Sequence, residues 1–273
     1  MKTLPSNPLK ATAALLGSFL LLISMLSLPA GAAEDPRWTQ LRTSYFGDRE
    51  ITSGDTIITM EAPKRAHDAA TVPIVLEVFD TSVKIKQVHL FVDQNPLPLA
   101  GIFKFRDEAD GWHSFETRIR INEYTNVRAV AELENGDLHM TERFVKAAGG
   151  CSAPSMADMD AAMARAGKMK ILLDEINDEG LASASAVIKI SHPNNSGMQF
   201  DQISRNYIPA FFVHTIVAEL DGKPLLDIET NFSLSENPVI RLNFSPETTQ
   251  KNLLVYAVDS KGNRYQKALH EPN

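Results

Sequence analysis

Between Thr56 and Val145 the chain alternates short runs rich in Val, Ile, Phe and Thr with breaks at Gly, Pro, Asn or Asp. TIITMEA, VPIVLEV, KQVHLFV, AGIFKF, HSFETRIRI, NVRAVAEL and LHMTERFV each have the length and composition of a β-strand. HSFETRIRI alternates strictly, which sets Phe115, Thr117, Ile119 and Ile121 on one face. Asn135-Gly136, between the last two runs, is a two-residue hairpin turn. Such runs, with a turn every ten residues or so, predict an antiparallel sandwich. Ahead of them PRWTQLRTSYF, residues 36–46, places Trp38, Leu41 and Phe46 at helical spacing and is followed by Gly47, predicting a short amphipathic helix.

The strand pattern stops at Lys146. Residues 147–166, AAGGCSAPSMADMDAAMARA, are small, rich in Ala and Met, and hold no β-branched side chain. Ser155 is placed to cap a brief helix that lines up Met156, Met159 and Met163. That stripe reads as a patch docking on the protein's own surface, or as a soft-metal site that would lack His partners. Strands resume with KMKILLD, then SAVIKIS after an NDEG turn, YIPAFFVHTIVAEL, PLLDIET after Asp221-Gly222, NPVIRLNF, NLLVYAVD and RYQKA. The pattern therefore predicts an all-β protein of two antiparallel β-sandwich domains, residues 34–146 and 167–273. Residues 147–166 form the linker between them, with its short helix.

The N-terminus changes the picture of where this protein works. Lys2 and Lys10 precede the apolar run Ala11–Leu28, and Ala30-Gly31-Ala32 has the small-x-small form that a signal peptidase reads. Residues 1–33 are expected to be a cleaved signal peptide and the mature protein periplasmic, the competing reading being a membrane anchor. The full chain carries 27 Lys and Arg against 34 Asp and Glu. Cleavage removes Lys2 and Lys10 and no acid, so the mature charge falls from −7 to −9. A chain this acidic, with no basic cluster, has no electrostatic footprint for nucleic acid.

One cysteine occurs in the chain, Cys151. An exported protein with a single thiol cannot form an internal disulfide, so the sulfur is either buried and inert or retained for its chemistry. Its neighbours Gly149, Gly150, Ser152, Ala153 and Pro154 are too small to bury it by themselves, and the sequence predicts a flexible arm with an open thiol. A catalytic nucleophile needs a base held rigidly beside it, and a redox switch needs a second thiol; a covalent carrier needs only reach, openness and some thiolate. The seven histidines, His67, His89, His113, His139, His192, His214 and His270, show no metal-ligand spacing, and GxSxG, P-loop and GxGxxG motifs are absent. No cofactor is expected. The loop SHPNNSGMQFDQ that holds His192 is a second candidate binding segment.

ITMEAPKRAHDAATVPIVLEV, KQVHLFVDQNPLPLAGIFKF, TRIRINEYTNVRAVAEL and FVKAAGGCSA resemble the SoxY sulfur carrier of periplasmic thiosulfate oxidation. IKISHPNNSGMQFDQ, YIPAFFVHTIVAELDGKPLL, SENPVIRLNF and VYAVDSKGN resemble SoxZ. The whole is similar to a fused SoxYZ-like carrier group associated with quinoprotein, PQQ-dependent dehydrogenases. The resemblance implies two immunoglobulin-like antiparallel β-sandwich domains packed on each other, Cys151 as the covalent attachment point, Gly149 and Gly150 as its flexible arm, and catalysis left to partners: Sox-type enzymes, or a quinoprotein dehydrogenase and its cytochrome. In one respect the chain departs from SoxY, which normally ends in GGCGG. Here Ser152, Ala153 and Pro154 follow and the chain runs on, tying the arm at both ends. A non-catalytic accessory module of a dehydrogenase, and a thiol enzyme pairing Cys151 with a histidine such as His192, are the competing readings.

Overall fold

A computed structural model describes residues 35–80, 82–106, 109, 111–154, 158–178, 181–245 and 252–269. The expected signal peptide, residues 1–33, lies outside them. The first element is the helix α1 (Pro36–Phe46). Asp35 accepts from Arg37 N at 2.9 Å and opens the helix, Pro36 takes the position where no N–H is needed, and Gly47 N–H closes it on Thr43 O. Trp38 and Phe46 are buried, and the Trp38 ring stands edge-on to Phe91 at 5.5 Å.

Every strand run of the first half forms: β2 (Ile58–Glu61), β3 (Val72–Val78), β4 (Ile85–Val92), β5 (Leu99–Phe105), β6 (Trp112–Ile119), β7 (Thr125–Leu133) and β8 (Leu138–Val145). They are preceded by a three-residue strand, β1 (Ile51–Ser53), which pairs parallel to β8. Phe115, Thr117, Ile119 and Ile121 all face inward, as the alternation of HSFETRIRI requires. After the helix α2 (Met159–Arg165) come β9 (Met169–Asp178), β10 (Leu181–Ile190), β11 (Phe200–Asp201), β12 (Asn206–Tyr207), β13 (Val213–Leu220), β14 (Lys223–Thr230), β15 (Val239–Phe244), β16 (Leu253–Asp259) and β17 (Arg264–Leu269). β13 starts only at Val213, later than the run YIPAFFVHTIVAEL predicts, because Pro209 has no N–H to give a ladder and the Phe211 and Phe212 N–H groups are spent on Asn195 O and Ser260 Oγ.

These strands form two large sheets, ordered β1-β8-β7-β4-β5-β14-β13-β16-β17 and β2-β3-β6-β15-β10-β9, and β11 and β12 make a separate small ribbon. Each large sheet runs through both halves. β5 pairs antiparallel with β14, Phe103 opposite Ile228, and β6 pairs with β15, Phe115 opposite Leu242. The linked pair of sandwiches read from sequence is thus joined edge to edge. An open sheet edge leaves a row of N–H and C=O groups unmet, and here each half covers the other's edges. One buried apolar cluster spans the seam: Phe103 and Phe115, 4.5 Å apart, share it with Leu226, Leu242 and Phe244. On the outer faces Arg106 pairs with Asp227, Lys104 with Glu229 and Arg241 with Glu116, all across the seam.

The linker helix differs from expectation in its cap and in its methionines. Its cap is Asp158, which accepts from Ala161 N at 3.0 Å, while Ser155 and Met156 fall outside the described residues. The stripe's described methionines, Met159 and Met163, do not dock together. Ala162 is the buried residue of α2, Met159 lies against Asn195, and Met163 is exposed.

Candidate functional site

After β8 the chain crosses the end of the first sandwich on a ledge of backbone. The ledge is Arg120-Ile121-Asn122, the continuation of β6 after it leaves its sheet. Arg120 N–H donates to Ser233 O and Ile121 N–H to Ala69 O, while the buried Asn95 donates to Arg120 O at 2.8 Å and accepts from Asn122 N at 2.9 Å. The two remaining ledge carbonyls receive the arm: Gly149 N–H reaches Asn122 O at 2.8 Å and Gly150 N–H reaches Ile121 O at 2.9 Å.

The two glycines are required for different reasons. Gly149 sits at φ +81°, with open space where a side chain would be, so the constraint there is conformational. Gly150 lies directly on the ledge, and a β-carbon on it would stand 2.0 Å from Ala69 O and 2.7 Å from Ile121 O. No side chain fits between those carbonyls while the arm is down.

The second half supplies the roof, and it does so with the loop that contains His192. Residues 192–196 and Gln199 are buried. Ser196 Oγ donates to Cys151 O and also lies 3.1 Å from Gln199 Oε1, which accepts from Ser196 N–H at 2.8 Å. Asn194, in the left-handed region at φ 48°, donates to Leu234 O and accepts from Val213 N–H, pinning the loop to its own sandwich. His192 takes no part in a thiol–imidazole pair. Its Nδ1 accepts from Asn194 N–H at 3.1 Å and its Nε2 faces Asp259 at 3.8 Å, while burial pushes its pKa down to about 4.

Beneath this roof Cys151 has a relative exposure of 0%. The expected open thiol on a flexible arm is therefore corrected: the arm is docked and the sulfur covered. Its immediate neighbours are small, but residues far away in the chain bury it. Burial raises the thiol from its usual 9.0 to about 11, against the opposing influence of the nearby Arg120 charge. Arg120 is itself 2% exposed, its Nη1 donating to Asn194 O at 2.5 Å, Phe232 O at 3.0 Å and Leu234 O at 3.1 Å. One guanidinium from the ledge thus holds three carbonyls of the opposite half beside the thiol.

Sequence reasoning picked out Cys151, Gly149, Gly150 and the His192 loop, which the fold brings together. It missed Arg120, Asn95, Ser196 and Gln199. SHPNNSGMQF is dense in side-chain donors and acceptors for a stretch that turns out buried, and that density was the available signal for Ser196 and Gln199. Arg120 gives none, since the strict alternation of HSFETRIRI makes it an outward-facing strand residue. Among the described residues no group of three or more His, Cys, Asp or Glu is placed to hold a metal ion.

Two family models match this chain. Sulfur oxidation protein SoxY matches residues 42–151, ending on Cys151, and sulphur oxidation protein SoxZ matches residues 176–270. Among solved structures the chain is similar to the sulfur carrier protein SoxY from Chlorobium limicola f thiosulfatophilum, with 21% identity over 40% of this chain and 94% of that one and a TM-score of 0.34. No curated protein matches it.

Proposed function

From a chain that belongs to the SoxY/SoxZ sulfur-oxidation family, with both parts fused in one polypeptide, we propose a periplasmic carrier that holds sulfur intermediates covalently on Cys151 and presents them to partner enzymes. The observation that carries this reading is the docked arm: a Gly-Gly-Cys segment fitted onto a ledge that excludes any side chain at 150, yet held by few bonds. Among the described residues three hydrogen bonds tie the arm to its seat, and at about 1 kcal/mol each they favour that seat by a factor of roughly a hundred, a hold that shelters a cargo without fixing it for good.

Docking also gates reactivity. At pKa about 11 the covered thiol is ionised in about one molecule in ten thousand at neutral pH, and release to its ordinary value raises that about a hundredfold. Loading on the exposed arm joins the thiolate to the outer sulfur of thiosulfate, Cys–S⁻ and S2O3²⁻ giving Cys–S–S–SO3⁻ and two electrons that a haem-type partner accepts. Hydrolysis by a second partner adds water, releases sulfate and two protons, and leaves the persulfide Cys–S–S⁻. The carrier contributes the sulfur, the arm and the shelter. The resident His192 is turned toward Asp259 and kept neutral, which speaks against self-activation.

Intact-mass analysis of the protein recovered from periplasmic extract tests this reading. A mass increment removed by reductant and absent from Cys151→Ser is expected. An unmodified thiol throughout, with a Cys151→Ser strain that oxidises sulfur normally, would defeat it. The burial of Cys151 also suits a non-catalytic accessory module of a quinoprotein dehydrogenase, and that reading predicts a dehydrogenase that co-purifies unchanged with Cys151→Ser.

A further inference from the structure

An open groove of about 530 Å³ lies along the β2 edge of the six-stranded sheet. Ala62, Pro63, Pro73 and Val75 give it an apolar floor, and Arg143 of β8 and Glu61 complete its lining. From the groove the chain carries Lys64 and Arg65 across to the end of β8. There Lys146 N–H donates to Lys64 O at 3.0 Å and Ala66 N–H to Lys146 O at 3.1 Å. Lys64, Arg65, Arg143 and Lys146, all exposed, thus share two bonded segments of a chain whose net charge is −7. On the sheet faces such side chains are spent in ion pairs: Arg49 with Glu132, Lys104 with Glu229, Arg106 with Asp227 and Arg241 with Glu116. These four have no ion-pair partner among the described residues. Two of the nearby acids are engaged elsewhere. Glu142 pairs with Arg128, and Asp68 accepts from Ala70 N–H and the Thr71 hydroxyl, which leaves Glu61 as the carboxylate of the groove.

Unpaired cations beside an apolar floor are recognition chemistry for a segment that carries carboxylates and an apolar side chain. Position gives the second reason. Lys146 stands at the root of the arm, five residues before Cys151. Fully extended, that length spans roughly 17 Å, so a body seated on these cations meets the sulfur if its catalytic cleft lies within that distance. We propose that this groove and its four cations are the docking face for an acidic segment of a partner enzyme, which anchors there and takes the cysteine arm into its own cleft. The proposal rests on the carrier reading and names the chemistry of the partner that reading requires. An anionic membrane would meet the same cations, but the acidic remainder of the chain opposes a flat anionic surface, and a concave apolar floor suits an inserted side chain.

Zero-length cross-linking reads this contact directly. A water-soluble carbodiimide condenses a lysine amine with a carboxylate to an amide and takes up the released water to become a urea. The purified full chain is added to an extract of the source organism at low ionic strength, cross-linked, digested and mapped by mass spectrometry. Amide links from Lys64 or Lys146 to Asp or Glu of a second polypeptide are expected, with an apolar residue beside the linked acid. Arg65→Glu combined with Arg143→Glu reverses two charges but keeps both reporting lysines, and the links should fall about tenfold. Salt at about 1 M, where the Debye length is near 3 Å, should lower the wild-type links in the same way. Links from Lys170, in β9 at the opposite edge of the sheet, should hold. An unchanged rate of Cys151 alkylation in the double variant would show that its arm is still seated. Cys151→Ser should link as the wild type does, because docking precedes the chemistry, so an unloaded Cys151 in the cell would sink the carrier reading and leave this readout intact. Links that are absent, that join only copies of this chain, or that survive both the double variant and salt would overturn the proposal.

Discussion

Where β5 and β6 meet β14 and β15, the halves of this protein share two continuous ladders and a packed apolar cluster. Where the cysteine arm meets the second half, Cys151 O accepts from the Ser196 hydroxyl, and among the described residues the arm's other bonds to its seat are those of the Gly149 and Gly150 N–H groups to the ledge. Both junctions use backbone N–H and C=O groups, yet they differ in what stands behind each bond. In the ladders every bond is backed by its neighbours and by side chains that lose water together, so none is broken alone. The bonds of the arm are separable from the sheets. A segment so held can leave its seat without unseating the halves, which is what a delivering arm requires.

The sharpest way to break this contrast is to damage each junction and ask how far the damage spreads. Phe244→Ala, in β15 at the centre of the seam, should cost about 3–5 kcal/mol and unfold both halves in one denaturant transition, because its cluster belongs to both. Separate transitions for the two halves would show that the seam is weaker than its packing implies. Gly150→Ala should act oppositely. Its β-carbon cannot share space with Ala69 O, so the arm leaves the ledge. Alkylation of Cys151 by iodoacetamide is expected to accelerate roughly a hundredfold, the equivalent of about 3 kcal/mol, while the melting temperature changes little.

Alkali sharpens the comparison without mutation. The docked thiol has its pKa raised from 9.0 to about 11, so the docked state is favoured in full below pH 9 and loses that advantage as pH climbs through 11. The loss approaches about 3 kcal/mol. Protection of the Gly149 and Gly150 amides from hydrogen exchange should fall across that window in the wild type and hold in Cys151→Ser, which has no thiol to ionise. The smallest effect belongs to Ser196→Ala. Removing one hydroxyl bond to Cys151 O should cost about 1 kcal/mol and raise alkylation roughly fivefold, with the sheets untouched.

How much of this was legible beforehand differs between the scaffold and the site. Helix α1 lies where the spacing of Trp38 and Phe46 and the stop at Gly47 put it. The hairpin at Asn135-Gly136 and the inward set Phe115, Thr117, Ile119 and Ile121 also follow from neighbours a few residues apart. Strand β1 escaped notice because three residues are too short to show a period. The merging of the two sandwiches escaped for another reason: nothing in AGIFKF or PLLDIET says which edge will meet which. In the site, Gly149-Gly150-Cys151 announces itself by composition, and that composition misled as to exposure. Small neighbours leave a sulfur uncovered only if nothing else covers it, and here Ser196 and the rest of the His192 loop do.

By itself the amino-acid order determined the longer strands, the turns, the first helix and the single thiol behind its two glycines, since each depends on backbone preference and periodicity within a few residues. The tertiary structure alone decided that the two sandwiches share their sheets, that Arg120 turns inward to hold carbonyls of the other half, and that Cys151 lies docked under a roof. Those outcomes depend on which unsatisfied edges, donors and apolar faces meet across more than forty residues of chain, a pairing that no local pattern encodes.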